Sequence, residues 1–293
     1  MKRLQKKLDN YSKSIDSSAI SEKVNSYQSK IFNEQEKIEL IKLAASLIDL
    51  TTLEGNDTEE KINALCKKAI KPVTDDNEFP HCAAVCVYPA LLKYAVKGLK
   101  GSDVKLASVA TGFPSGQFPL KIKLADVKYC IEKGADEIDM VISRGEFLMG
   151  NFDYVYDEIK KVRKICKSLN PKKPALLKVI LETGELVNPE NIRKASFIAM
   201  LAGADFIKTS TGKIPSAATL PVVYVMCEAI KDYYKETGIK IGIKAAGGIR
   251  TTEEALSYIS LVKDFLGEDW LTPELFRIGA SSLLNDLLVK YNK

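Results

Sequence analysis

Eight short apolar runs recur along the chain, and longer segments with helical spacing separate most of them. Each run is about one strand long and is apolar at odd and even positions alike, which is typical of parallel strands buried on both faces. Helices rather than hairpin turns connect the runs, so we expect parallel strands with right-handed crossovers. The runs span residues 46–50, 83–89, 105–114, 137–143, 175–184, 205–212, 240–248 and 276–282.

The number and spacing of these runs favour a closed barrel. Eight strand–helix units within about 250 residues match the usual size of a (β/α)8 barrel. An open doubly wound sheet would more often show a Gly-x-Gly-x-x-Gly turn after its first strand, whereas residues 46–50 run into TTLEGNDT. The predicted fold is therefore α/β, a (β/α)8 TIM barrel with an N-terminal helical extension.

The extension is predicted to span residues 1–36, and the barrel catalytic domain residues 37–293. Two sets of apolar residues with helical spacing predict two short amphipathic helices with a break near residues 17–18. We favour packing of these helices against the outer helices of the same chain, and an oligomer contact is the alternative. The sets are Leu4, Leu8, Tyr11 and Ile15, then Ile20, Val24, Tyr27 and Ile31.

The composition argues against several classes of function. The single histidine, His81, makes Ser-His-Asp hydrolysis and histidine-rich metal sites unlikely choices, so neither a metal nor a cofactor is predicted. The six cysteines lack metal-ligand spacing and indicate buried thiols in a reducing cytoplasm. A net charge of +5 suits a phosphorylated substrate but is too mild for a nucleic-acid partner. No apolar run is long enough for a membrane span, and the lysine-rich N-terminus does not resemble a signal peptide.

Five of the charged residues in the apolar runs are the most informative, because burying such a residue without a partner costs several kcal/mol. Alternate residues of a barrel strand point inward, and barrel enzymes place their chemistry at the C-terminal ends of the strands. We therefore expect these charges to converge on one cavity. Structural ion pairs are the alternative, but two aspartates and three lysines leave one cation in excess. The residues are Asp49, Asp139, Lys178, Lys208 and Lys244.

A buried ammonium in excess is expected to have a lowered pKa. Burial disfavours its charged form, and a second ammonium about 4 Å away costs roughly 4 kcal/mol at an effective dielectric constant of about 20. That cost corresponds to about 3 pKa units below the usual lysine value. Such a lysine is a neutral amine near neutral pH and can attack a carbonyl carbon. The charge pattern thus predicts a nucleophilic lysine.

Glycine and serine residues follow the seventh and eighth runs, where barrels commonly bind phosphate. Gly247 and Gly248 allow backbone N–H groups to approach an oxyanion, and Ser281 and Ser282 add donors before a helical segment. A Gly-Gly pair alone is usually only a turn. Its combination with the serine pair predicts a phosphate site, to which Arg250 adds charge unless it pairs with an outer helix.

Seven motifs occur in the order found in the deoxyribose-phosphate aldolase family. They are DLTTL (49–53), AAVCVYP (83–89), GADEID (134–139), LLKVILETGEL (176–186), ADFIKTSTGK (204–213), KAAGGIR (244–250) and RIGASSLL (277–284). Between about residue 40 and residue 287 the chain therefore resembles this family, and its motif sequences are closer to those of the eukaryotic branch.

The resemblance implies a metal-independent class I aldolase. Such an enzyme cleaves 2-deoxy-D-ribose 5-phosphate reversibly to D-glyceraldehyde 3-phosphate and acetaldehyde, in deoxyribonucleotide catabolism. Lys208 matches the family's Schiff-base lysine. Lys244 matches a second lysine that lowers the pKa of the first, and Asp139 matches the carboxylate of the proton relay. Asp49, Lys178 and Thr51 match supporting residues, and the phosphate cradle matches Gly212, Gly247, Gly248, Ser281 and Ser282.

The chain departs from the family pattern at some positions. Ala245 stands where proline is frequent, and Tyr291 is not expected to act as the C-terminal tyrosine that assists proton transfer in some members. Cys86 matches a cysteine that is reactive in some relatives, although a buried barrel cysteine is the favoured interpretation. Members are commonly dimers, so a homodimer is possible, with the helices near residues 20–45 as candidates for the contact. Another Schiff-base aldolase or transaldolase and a catalytically idle binding scaffold remain alternatives.

Overall fold

The eight predicted strands form one closed parallel barrel. In the computed structural model, which describes residues 2–215 and 218–292, each strand pairs with the next and the last pairs with the first. The predicted (β/α)8 architecture is therefore confirmed. The strands are β1 (Ile48–Thr51), β2 (Ala84–Val87), β3 (Lys105–Ala110), β4 (Glu137–Val141), β5 (Leu176–Ile180), β6 (Phe206–Lys208), β7 (Gly242–Ala246) and β8 (Phe276–Ala280).

Helices surround the barrel and precede its first strand. Short 3-10 turns lie at Pro89–Leu91, Thr183–Glu185 and Glu268–Trp270. The helices are α1 (Lys2–Tyr11), α2 (Ser17–Gln28), α3 (Glu34–Ser46), α4 (Glu59–Ile70), α5 (Leu92–Gly98), α6 (Leu120–Glu132), α7 (Arg144–Leu148), α8 (Phe152–Ser168), α9 (Pro189–Leu201), α10 (Leu220–Thr237), α11 (Thr252–Leu266) and α12 (Leu283–Tyr291).

Local sequence sets the ends of the helices that follow β6 and β7. The Thr219 side chain accepts from the backbone N–H of Val222 at the start of α10, and Thr251 and Glu254 form a capping box at the start of α11. Gly238 ends α10 with a φ of 68°, a conformation that glycine adopts without steric cost. These capping residues determine where α10 begins and ends and where α11 begins.

The N-terminal helices pack against the outer helices of the same chain, as favoured from the sequence. Helix α1 contacts α9, α2 contacts α10 and α11, and α3 contacts α11 and α12. The Tyr11 ring stacks on Phe197 with 3.8 Å between centroids, and the Arg193 Nε donates to the Tyr11 carbonyl at 2.8 Å. The predicted boundary after residue 36 stays a prediction, since apolar side chains of α1 and α2 join the same core as the barrel.

The predicted helix break near residues 17–18 is wrong by a few residues. Helix α1 ends at Tyr11, and α2 already begins at Ser17. The reason is the Asp16 carboxylate, which accepts hydrogen bonds from the backbone N–H groups of Ser18 and Ala19 and so caps the second helix. Among the described residues, no helix combines the length and apolar character needed to cross a membrane.

We expect Tyr11→Ala to lower the free energy of unfolding by roughly 3 kcal/mol, because it removes a buried ring stacked on Phe197 and leaves a cavity. Urea denaturation followed by circular dichroism measures the change. Lys7→Ala, at an exposed position of the same helix, is the control and should change stability by less than about 0.5 kcal/mol. Equal stability of both variants would mean that α1 does not contribute to the barrel's core.

Candidate active site

The barrel register brings the predicted charged residues together on the inside of neighbouring strands. Lys208 on β6 lies beside Lys244 on β7, and Asp139 on β4 lies beside Lys178 on β5. Asp49 extends from β1, and all five side chains are almost completely buried. The five side chains therefore lie together in one buried cluster, and Lys208 is the one of the five that lines a cavity at the C-terminal ends of the strands.

One carboxylate oxygen of Asp139 accepts hydrogen bonds from both candidate catalytic lysines. The distance from Asp139 Oδ2 is 2.7 Å to Lys208 Nζ and 2.8 Å to Lys244 Nζ. The other carboxylate oxygen, Oδ1, accepts from Lys178 Nζ at 2.8 Å. Lys244 also donates to Asp49, whereas Asp139 is the one carboxylate that contacts Lys208 among the described residues. A proton can thus pass between the two lysines through a single carboxylate.

The pKa values of the two lysines move in opposite directions. Burial lowers the pKa of Lys208; Asp139 opposes this shift, Lys244 adds to it, and the net direction is downward. Burial also acts to lower the pKa of Lys244, but Asp139 and Asp49 outweigh it and the net direction is upward. The pair therefore consists of one ammonium and one lysine that is biased toward the neutral, nucleophilic amine.

Two further charged residues that were missed in the sequence join this cluster. Arg277 on β8 donates from Nη1 to Asp49 Oδ1 at 2.5 Å and from Nη2 to Glu137 Oε1 at 2.9 Å. Glu137 on β4 also accepts from Lys178. The predicted count of two carboxylates and three lysines is thus corrected to three carboxylates and four cations among the described residues. Glu137 is the first residue of the apolar run 137–143, and Arg277 is the second residue of the run 276–282. A charge within an apolar run, the signal used for the other five residues, therefore applies to them too.

Ion pairs, which were the alternative interpretation of these charges, are present throughout the cluster. Burial would raise the pKa values of Asp49 and Asp139, but the surrounding lysines, and Arg277 at Asp49, hold both well below their usual range. The pKa of Lys178 is raised, because Asp139, Asp49 and Glu137 outweigh its burial. Asp49, Asp139 and Lys178 are therefore charged at neutral pH. Lys208 differs from them, because its pKa shifts toward the uncharged form.

A cavity of about 430 Å³ opens above the charged cluster at the C-terminal ends of the strands. Lys208 and Thr51 line it, and so do all the residues predicted to bind phosphate. Gly247 and Gly248 have φ values of 91° and 95°, which explains the need for glycine in this turn. The phosphate candidates that line the cavity are Gly212, Gly247, Gly248, Ser281 and Ser282.

Other basic residues at this cavity were either left open or missed in the sequence. Arg250 lines the cavity, so the interpretation that it adds charge there is favoured. Lys61 and Lys213 also line it, and the Lys213 Nζ lies 2.9 Å from Glu54 Oε1. Lys213 directly follows Gly212 in the ADFIKTSTGK motif. Its position next to a predicted phosphate-binding residue could have been used to predict that it lies at the same cavity. The rim of the cavity is thus positively charged, as a phosphate monoester requires.

The barrel interior also contains a small apolar cluster. It consists of Leu53, which follows β1, and of residues on β2 and β3, with Tyr88 and Phe113 packed against them. Burial raises the pKa of the Cys86 thiol in this cluster to about 11, so the favoured interpretation of a buried, unreactive cysteine agrees with its surroundings. The buried members are Leu53, Ala84, Cys86, Ala107 and Val109.

Two other sequence expectations concern groups away from this cavity. Tyr291 donates from its hydroxyl to Asp76 Oδ2 at 2.7 Å and packs its ring on Phe79, in the segment that precedes β2. It therefore lies at the end of the barrel opposite the cavity, as expected for a residue without a catalytic role. Within residues 2–215 and 218–292, no group of three potential metal ligands comes together.

Comparisons with known proteins agree in pointing to aldolases. A family model described as DeoC/LacD family aldolase matches residues 43–288. The chain is 49% identical over 276 residues to a putative deoxyribose-phosphate aldolase of Caenorhabditis elegans, covering 94% of this chain and 88% of the relative. It is 51% identical over 254 residues to the deoxyribose-phosphate aldolase of Homo sapiens, covering 83% and 78%.

Solved structures give the same result at lower identity. A crystal structure of a putative deoxyribose-phosphate aldolase from Coccidioides immitis is 26% identical, with a TM-score of 0.69, and covers 93% of this chain and 98% of that one. A tetrameric deoxyribose phosphate aldolase from Aeropyrum pernix is also 26% identical, with a TM-score of 0.67 and coverage of 89% and 99%.

We expect Lys178→Met to lower the free energy of unfolding by about 4 kcal/mol, because it leaves Asp139 and Glu137 buried without this ammonium. Urea denaturation measures the change. Lys173→Met is the control: its lysine pairs with Asp136 at 2.6 Å but is 71% exposed, so the expected loss is below about 1 kcal/mol. A Lys178→Met variant as stable as this control would contradict the assignment of Lys178 as the central cation of the cluster.

Proposed function

Because the chain belongs to the DeoC/LacD family of aldolases, we propose that it cleaves 2-deoxy-D-ribose 5-phosphate reversibly to D-glyceraldehyde 3-phosphate and acetaldehyde through a Schiff base on Lys208. As an aldolase it is a carbon–carbon lyase. The observation that carries the proposed mechanism is the position of Lys208, which lines the cavity and has a lowered pKa while its partner Lys244 has a raised one.

The reaction begins at the aldehyde carbon of the open-chain sugar. The neutral Lys208 Nζ attacks C1, and loss of water gives a protonated imine. A base removes the proton of the C3 hydroxyl, the C2–C3 bond breaks, and its electron pair enters the imine to form an enamine. Glyceraldehyde 3-phosphate leaves with C3 as its aldehyde carbon. Protonation of the enamine at C2 and hydrolysis then release acetaldehyde and regenerate the amine.

Asp139 and Lys244 are proposed to move the protons of these steps. The Lys244 ammonium can donate a proton to the departing hydroxyl of the carbinolamine, which leaves as water. The Asp139 oxygen that contacts both Nζ atoms can relay a proton between them without rearrangement. Asp49 and Lys178 support this role, because they contact Lys244 and Asp139 and fix their positions.

The glycine and serine residues at the cavity are proposed to hold the phosphate group. Gly212, Gly247 and Gly248 lack a Cβ that would keep an oxyanion away from the backbone. Ser281 and Ser282 precede α12, whose N-terminus carries partial positive charge. With the phosphate bound by these residues, C1 of the pentose is proposed to point toward Lys208, which lines the same cavity. Thr51, the last residue of β1, lines it too.

We further propose a homodimer in the cytoplasm, with residues 37–293 as the catalytic domain. All six cysteines are buried free thiols, which supports a reducing compartment. The packing of α2 against α10 and α11 leaves its remaining, exposed face for a contact between subunits.

Borohydride reduction in the presence of acetaldehyde should attach an ethyl group to Lys208, located by peptide mass spectrometry. Lys208→Met should lower kcat for deoxyribose 5-phosphate cleavage by about a thousandfold or more, and Lys244→Met by nearly as much. Lys105→Met, an exposed lysine at the start of β3, is the matched control and should keep full activity. Trapping by dihydroxyacetone phosphate but not by acetaldehyde would instead assign a different aldolase or transaldolase.

Gly248→Ala should raise KM for deoxyribose 5-phosphate by about tenfold, because a Cβ at a φ of 95° strains the turn and displaces its N–H donors. The kcat/KM for unphosphorylated 2-deoxyribose should stay the same, since that sugar has no phosphate to lose. Gly238→Ala, at another positive φ but on the C-terminus of α10, controls for backbone strain. Equal losses with both sugars would exclude Gly248 from the phosphate site.

A further inference from the structure

The buried cluster inside the barrel has more positive than negative groups. Among the described residues it contains the carboxylates Asp49, Glu137 and Asp139 and the cations Lys178, Lys208, Lys244 and Arg277. With every group ionised the cluster carries one net positive charge in a site with little access to water. It is electrically neutral when one cation has released its proton. A buried cluster favours that neutral state, because an unbalanced charge away from water is costly.

The contacts identify which cation gives up its proton. A guanidinium stays protonated under all ordinary conditions, so Arg277 is excluded. Lys178 lies within 4 Å of three carboxylates, Asp49, Glu137 and Asp139, and Lys244 contacts two of them. Lys208 contacts Asp139 alone, through an oxygen that it shares with Lys244. Lys208 therefore has the weakest hold on its proton.

We propose that Arg277 and Glu137, which do not contact Lys208, set the protonation of Lys208 by fixing the charge of this cluster. The inference rests on the proposed function, in which Lys208 must be a neutral amine to form the Schiff base. Arg277 donates to one oxygen of Asp49 and to both oxygens of Glu137. Without its guanidinium, three carboxylates would balance three lysines, and Lys208 would keep its proton. Arg277 is thus a positioning residue that acts through electrostatics.

The other groups that act on the protonation of Lys208 lie on β2, β4 and β7. Asp139 contacts Lys208 directly, and Lys244 contacts the same Asp139 oxygen. The Cys86 thiol on β2 is uncharged, because burial raises its pKa to about 11. Lys178 and Asp49 lie one contact further away and are both charged. A change in net charge at the Arg277–Glu137 end of the cluster therefore acts on Lys208, which has the fewest carboxylate contacts of the three lysines.

The test is the pH dependence of Schiff-base formation in the full chain. The rate of cyanoborohydride trapping by acetaldehyde at Lys208 is measured from about pH 5 to about pH 10, and its midpoint reports the pKa of Lys208. Arg277→Met should raise the midpoint by about one pH unit, because it removes a positive charge and stabilises the Lys208 ammonium. Glu137→Gln removes a negative charge and should lower the midpoint by a similar amount.

The double variant Glu137→Gln/Arg277→Met separates electrostatics from simple damage. It removes one charge of each sign, restores the excess of one cation, and should return the midpoint to that of the unaltered chain, whatever its stability. Glu158→Gln is the matched control: Glu158 is a buried carboxylate that pairs with Lys123 at 2.6 Å outside the barrel, so the midpoint should not move. Should Arg277→Met fail to fold, the Glu137→Gln and double variants still decide the result.

The outcomes distinguish this inference from the proposed function. Unchanged midpoints in the Glu137→Gln and Arg277→Met variants, with trapping still at Lys208, would overturn the inference and leave the aldolase function in place. A double variant whose midpoint stays displaced would also overturn it, because charge would then not be the cause. No trapping at Lys208 in the unaltered chain would overturn the proposed Schiff-base function itself.

Discussion

The shared carboxylate oxygen of Asp139 is the contact on which the interior of this barrel depends. Two lysines on neighbouring strands would repel each other if both were charged and unscreened. Asp139 Oδ2, at 2.7 Å and 2.8 Å from the two Nζ atoms, holds them together and attracts the proton that they compete for. Its other oxygen is held by Lys178, so the carboxylate cannot rotate freely. The same contact thus sets the geometry of the site and the difference between its two amines.

Most of the fold and much of the site could be predicted from the sequence, because both leave periodic signals. Strands buried on two faces are apolar at every position, so a charge such as Lys208 or Asp139 is conspicuous inside them. Glu137 and Arg277 lie in the same kind of run, but each stands near the start of its run, where a charge usually faces water and the signal is weaker. Their placement depends on the stagger of strands around a closed barrel, which brings Arg277 beside both β1 and β4 side chains. Such long-range register is not written in local spacing.

The N-terminal helices show the same limit at a different scale. Helical periodicity predicted their existence, but the position of the break was decided by one capping aspartate, Asp16, whose preference is local and chemical rather than periodic. Their docking sites on α9 to α12 were decided by shape, as in the stacking of Tyr11 on Phe197. The residues proposed to bind phosphate could be predicted to line the cavity, because barrels commonly use the loops after the seventh and eighth strands for this purpose.

The closure of β1 on β8, together with the docking of α1 to α3 on the last third of the chain, ties the order of synthesis to the order of folding. Helices α1 to α3 are synthesised before α9 to α12, and they can pack on these partners only after the partners have been made. Until then their apolar faces, with Leu8 and Val24, are exposed to other chains. The risk of aggregation during translation therefore lasts until β8 has closed the barrel and α9 to α12 have covered these faces.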